Sequence, residues 1–124
     1  MRIPLVMLAL FPLLARQPAY RTVTLVLPHA LRGDETVSLL VTLGVIARGD
    51  EIRITTPSGR PLGVISPYGI RPGNEAGTYV VPVPAEAISG RRVSLRLSVM
   101  RIGSGRAPTN KEVKRVRVEI TKGK

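Results

Sequence analysis

Two stretches near the C-terminal end alternate apolar and polar residues without a break, and this alternation constrains the fold more than any other feature of the chain. Val93, Leu95, Leu97 and Val99 are interleaved with Arg92, Ser94, Arg96 and Ser98, and Val116, Val118 and Ile120 with Arg115, Arg117 and Glu119. A period of two sends successive side chains to opposite faces of an extended backbone, so each stretch reads as a half-buried β-strand. The link between them, residues 102–112, is rich in Gly, Ser, Pro and Asn, as a long hairpin loop should be. The expectation is a two-strand unit whose apolar side faces a core while Arg92, Arg96, Arg115 and Arg117 share the outer face. Arg53 and Arg60 lie outside this unit and serve as its comparison.

Five further runs precede the pair: 22–27, 36–46, 51–56, 62–65 and 77–83. In the second, Val37, Leu39, Val41, Leu43 and Val45 form one face, and Leu40 and Ile46 lie on the other. That pattern predicts a central strand covered on both sides for part of its length. Pro82 and Pro84 demote the end of the fifth run to an edge or a bulge. Residues 84–89 have room for one helical turn at most. About seven short strands with turn signals every 8–14 residues argue for an all-β, immunoglobulin-like two-layer β-sandwich. A small β-barrel is the alternative. Gly77-Thr78-Tyr79, followed by Val80-Val81-Pro82-Val83-Pro84, resembles the Gly-x-Tyr strand of many extracellular sandwich modules. The likeness covers about eight residues and belongs to an architecture rather than a family.

The N-terminus bears on compartment. After Arg2, residues 3–15 form an apolar run of 13 residues that ends at Arg16. This fits the hydrophobic region of a secretory signal and falls short of the ~20 residues a membrane-spanning helix needs. Pro4 and Pro12 argue against a buried helix of the folded domain. Residues 1–19 are therefore read as a signal peptide cleaved after Ala15 or Ala19, and 20–124 as a single β-sandwich domain, periplasmic or extracellular. The chain has no cysteine, which excludes a disulfide framework and thiolate metal sites. A domain of about 105 residues can bury enough apolar surface without them.

The formal charge is +11, and its distribution is uneven. Residues 20–89 carry six Arg and six acids, whereas from residue 90 onward 11 Lys and Arg face two Glu. Polarised charge of this kind concerns partners rather than fold. Single-strand nucleic-acid binders interleave basic residues with aromatics that stack on bases. The basic pair has none, so no nucleic acid is expected. For an exported chain, the anions within reach are envelope polymers, lipid head groups and acidic proteins.

The tetrapeptide Arg-Gly-Asp-Glu occurs twice, at 32–35 and 48–51. Arg-Gly-Asp resembles the tripeptide by which adhesive proteins engage integrins, but Gly-Asp ahead of a strand is also an ordinary turn, and both copies precede an alternating run. As calcium ligands, two isolated Asp/Glu pairs supply too few oxygens. All four carboxylates are expected to be solvated turn residues. The lone histidine, His29, follows Pro28 at a strand end. No nucleophile elbow, Ser-x-x-Lys or His-Glu-x-x-His motif accompanies it, so no enzymatic activity, cofactor or metal is expected. The sequence points to an exported, non-enzymatic binding or accessory subunit of the cell envelope whose basic unit meets an anionic partner. The alternative is a carbohydrate-binding or enzyme-accessory domain with a site in loop 66–77, carried by Tyr68, Arg71 and Asn74.

Overall fold

The computed structural model describes residues 19–123; the segment read as a signal, apart from its last residue, lies outside them. Nine strands follow in order: β1 (Arg21–Val26), β2 (Glu35–Val45), β3 (Glu51–Thr55), β4 (Pro61–Ile65), β5 (Glu75–Val83), β6 (Ile88–Ser89), β7 (Arg92–Arg101), β8 (Ser104–Arg106) and β9 (Val113–Lys122). One 3-10 turn, Ala85–Ala87, precedes β6. The strands form two antiparallel sheets. The large sheet runs β1-β7-β3-β4, with β6 and β8 also paired to β7, and the small sheet runs β5-β2-β9. The described residues form an all-β two-layer sandwich with no closed barrel among them.

The core lies where the alternation puts it. Val93, Leu95, Leu97 and Val99 of β7 are buried, as are Val37, Leu39, Val41 and Leu43 of β2, with Ile52 and Ile54 of β3 beside them. Each fully buried aliphatic side chain contributes about 1.5–3 kcal/mol of transfer free energy. Residues at the intervening positions point outward, so β2, β3 and β7 each have one dry face and one wetter face, whereas the inward residues of β9 are only half-buried. β2 is the central strand of its sheet. Its outer face carries no further layer among the described residues: Leu40 lies between Val80 and Arg117 and is half-buried.

The expected pairing of the two basic strands is corrected. β7 is hydrogen-bonded on one side to β1 and β8 and on the other to β3 and β6, because each of its residues that faces two partners has one from each set. No edge of β7 is left for β9, which instead takes the edge of β2, with Arg117 opposite Leu40 and Arg115 opposite Thr42. The link 102–112 is the cause. Ile102 and Gly103 both have positive φ, 39° and 75°, the backbone that a two-residue hairpin turn requires. The chain therefore folds straight back as β8, with Ser104 opposite Arg101, before crossing to the other sheet.

Gly44 makes that crossing possible. A Cβ at this position would lie 2.0 Å from the Lys111 carbonyl oxygen, so only glycine admits the strap across the end of β2. The Gly44 N–H donates to the Glu112 carbonyl at 2.9 Å, and the β2–β9 register shifts beside it, between Thr42 and Leu43.

Candidate binding surfaces and the loop pocket

The arginines of the last third divide by what they touch. Arg91 donates through Nε and Nη2 to the Leu27 carbonyl, at 3.1 and 2.9 Å, and ties the end of β1 to β7. Arg101 donates to the Asp50 carboxylate at 2.6 Å. Arg106 forms a two-pronged pair with Glu112, at 2.8 and 2.6 Å. Glu112 in turn accepts the Thr109 N–H while its own N–H donates to the Thr109 hydroxyl, which closes the turn at 109–112. The Arg106 hydrogen bond, working against burial, holds the Glu112 carboxyl down at about 2, and the same bond raises Arg106. These three arginines are each tied by hydrogen bonds to partners within the chain.

Arg92, Arg96, Arg115 and Arg117 form no ion pair with any described carboxylate. They do not share a face. Arg92 and Arg96 stand on the outer side of the large sheet, and Arg115 and Arg117 on the outer side of the small one, with the core between them. Arg96 lies over the Tyr20 ring at 4.3 Å from its centroid, a cation–π contact. Arg53, set apart from this group by the sequence, belongs with it in space: it faces Ser98 across the β3–β7 ladder, one diagonal step from Arg96. Arg53 also has no carboxylate partner among the described residues. The pairing that groups Arg53 with Arg96 is long-range, and no local signal in the chain carries it.

The loop read as an alternative site lines a pocket of about 640 Å³. One wall is 66–73 and the other is 45–51, which includes the second Arg-Gly-Asp turn. Tyr68, 84% exposed, and Arg71 lie on the first wall, and Arg48 on the second. Asn74 is not part of the lining; its N–H donates to the Arg71 carbonyl at 3.0 Å and closes the base of the loop. Ser66 donates its hydroxyl to Glu51 at 2.7 Å, which pins the two walls together.

The expectation of solvated turn carboxylates is corrected at Glu35, 9% exposed, and most of all at Asp50. The Asp50 side chain is 3% exposed, and Arg101 and Arg106 both reach it, at 2.6 and 4.0 Å. The second Arg-Gly-Asp therefore presents no accessible carboxylate. His29 lies 3.6 Å from Glu35, and its Nδ1 sits 2.9 Å from the Ala30 carbonyl. Among the described residues no three His, Cys, Asp or Glu side chains gather as a metal site would require. An arginine-bearing sheet face and a pocket are what the geometry offers. Comparison with protein-family models, curated proteins and solved structures finds no match to the chain.

Proposed function

We propose that this chain is an exported, non-enzymatic binding module of the cell envelope, and that the outer face of its large sheet meets an anionic envelope component. The observation that carries this reading is the trio Arg53, Arg92 and Arg96, three guanidinium groups on one face with no carboxylate partner among the described residues. Arg92 and Arg96 are separated by roughly 13 Å along β7, four residues at about 3.3 Å each. That spacing suits several phosphates or carboxylates of a polymer or membrane surface better than a single bound ion. The central pairings β2–β5 and β7–β3 support an immunoglobulin-like assignment, since they repeat the B–E and F–C pairs of that architecture. The first and last strands have exchanged sheets relative to it.

The test is retention on vesicles of anionic phospholipid, with neutral vesicles as reference, while salt is raised. Attraction to a charged surface falls as the Debye length shrinks to ~10 Å at 0.1 M. Wild type is retained at low salt and released at high salt, Arg53→Glu with Arg96→Glu abolishes retention, and Arg115→Glu on the opposite sheet weakens it less. If wild type shows no salt-dependent retention on any anionic envelope component, or the two variants lose it equally, the large-sheet face is merely solvated.

The pocket favours a second reading, a carbohydrate-binding or accessory site in loop 66–77. Tyr68 offers an exposed ring for stacking on a sugar, and Arg48 and Arg71 flank it. Tyr68→Ala would then remove glycan retention and leave vesicle binding unchanged.

A further inference from the structure

The sheet edges are not alike. β1 is six residues long, β4 contains Pro61 and Gly63, and β5 contains Pro82 and Gly77, whose φ is 99°. β9 runs ten residues without glycine or proline and, among the described residues, is paired only along its β2 side. A long, regular edge offers a row of backbone N–H and C=O groups to another strand. Its inward side chains are also incompletely covered: Val116, Val118 and Ile120 are half-buried, whereas the matching residues of β7 are fully buried.

We propose that β9 pairs antiparallel with β9 of a second copy of this chain about a two-fold axis at Val118, joining the two small sheets into one of six strands. The outward charges select this register. With the axis at Val118, Arg117 faces Glu119 of the second copy, and Glu119 faces its Arg117. An axis at Arg117 or at Glu119 sets that residue against itself, and an axis at Val116 sets Arg115 against Arg117. An axis at Ile120 removes every opposite-charge pair. Like charges directly opposite on paired strands are unfavourable and opposite charges favourable, so Val118 is the centre that satisfies both. On the inner side this register puts Val118 against Val118 and Val116 against Ile120, covering the three half-buried residues. It also brings Lys114 near Lys122, but each has its own acid within its chain, Glu75 for Lys114 and Asp34 for Lys122. A self-complementary patch of this kind is what a two-fold interface requires. Arg53, Arg92 and Arg96 take no part, so this interface and the anionic contact stand or fall separately.

Sedimentation velocity over a concentration series, on protein recovered from cells expressing the full chain, tests the proposal. Wild type is a dimer at high concentration and dissociates on dilution. Glu119→Arg alone, or Arg117→Glu alone, weakens the dimer ~10-fold or more by creating like-charge pairs across the axis. The exchanged double variant Arg117→Glu with Glu119→Arg restores it, because the swap rebuilds the same pairs in reverse. Circular dichroism confirms that each variant retains its β spectrum. Amide exchange of wild type provides a measurement free of substitutions: protection rises with concentration along β9 and stays constant along β5. A wild type that is monomeric at every concentration overturns the proposal. So does a dimer indifferent to either single reversal, or a swap that does not restore association.

Discussion

The two copies of Arg-Gly-Asp-Glu share four letters and a place in the chain, each just ahead of a strand, yet they divide the work of their acids in opposite ways. At 32–35 the aspartate is the exposed member. The Asp34 side chain is 51% exposed, with Lys122 at 3.9 Å, while Glu35 is 9% exposed and accepts the Arg32 N–H at 2.8 Å. At 48–51 the aspartate is buried and held by Arg101, and the glutamate lies at a pocket wall and accepts from Ser66. The glycines differ as well: Gly49 has φ of 87°, whereas Gly33 is not among the left-handed glycines. Local chemistry explains why both copies turn, since Gly-Asp favours a turn before an alternating run. It does not explain which acid is buried. Arg101 and Arg106 decide that, and they reach Asp50 from more than fifty residues away.

The largest consequence of the difference is expected in acid. Arg106 joins Asp50 to Glu112, so the second turn belongs to a network of close arginine pairs. The ion pairs of the first are the longer contacts of Asp34 with Lys122 and of Glu35 with Arg32 and His29. Glu112 is held at about 2 against an ordinary 4.5, chiefly by its hydrogen bond from Arg106. A carboxyl whose folded value is depressed adds stability above its unfolded value, and that stability is lost as pH falls from about 4.5 toward 2. The side chain is 14% exposed, so screening is modest, and the shift corresponds to about 3 kcal/mol. Denaturant unfolding followed from pH 6 to pH 2 should show this loss. Glu112→Gln should show it already at neutral pH and have a flatter acid limb.

Next comes the direct comparison of the aspartates. Asp50→Ala should cost about 2 kcal/mol, the scale of a charge-assisted hydrogen bond made in a buried setting. Arg101 and Arg106 still reach water, which keeps the cost below that of stranding a fully buried cation. Asp34→Ala should change stability by less than about 0.5 kcal/mol, as surface pairs usually do. Equal effects, measured as shifts in the denaturant midpoint, would mean that the two turns differ in appearance only.

The same division runs through what the sequence could reveal. The longer strands and most of their inner faces were legible, because a period of two is a local property of Val93 to Val99 or Val37 to Leu43. The short β6 and β8 were not, and Val45, read onto the inner face of β2, is exposed past the register shift. The neighbours of each strand were not legible. Alternation tells which side of β7 faces the core but not that β1, β3, β6 and β8 take both its edges, so Arg115 and Arg117 came to lie on the face opposite Arg92 and Arg96. Ile102 concealed the tight turn that separates them, since a β-branched residue seldom adopts positive φ. Loop 66–77 was legible as a candidate wall from its glycines and prolines. Arg48, on the facing wall, was not, because only the fold brings residues 45–51 to that loop.

The smallest expected effect isolates the backbone from the charges. A side chain added at Gly33 or at Gly49 would place its Cβ more than 4 Å from every described atom beyond its chain neighbours, so packing cannot distinguish the two, and only conformation can. At Gly49 a side chain must enter the left-handed region, at a cost of roughly 1–2 kcal/mol for an L-residue other than Asn or Asp. At Gly33 alanine meets no such demand and reduces the freedom of the unfolded chain, which is worth about 0.4–1 kcal/mol in favour of the fold. Gly49→Ala should therefore lower the unfolding midpoint and Gly33→Ala should hold or raise it. Gly49→Asn should recover most of the loss, since asparagine tolerates the left-handed region. Opposite signs at two identical tetrapeptides would locate the difference in the backbone that each copy is made to adopt. Matching signs would leave the arginines around Asp50 as its whole source.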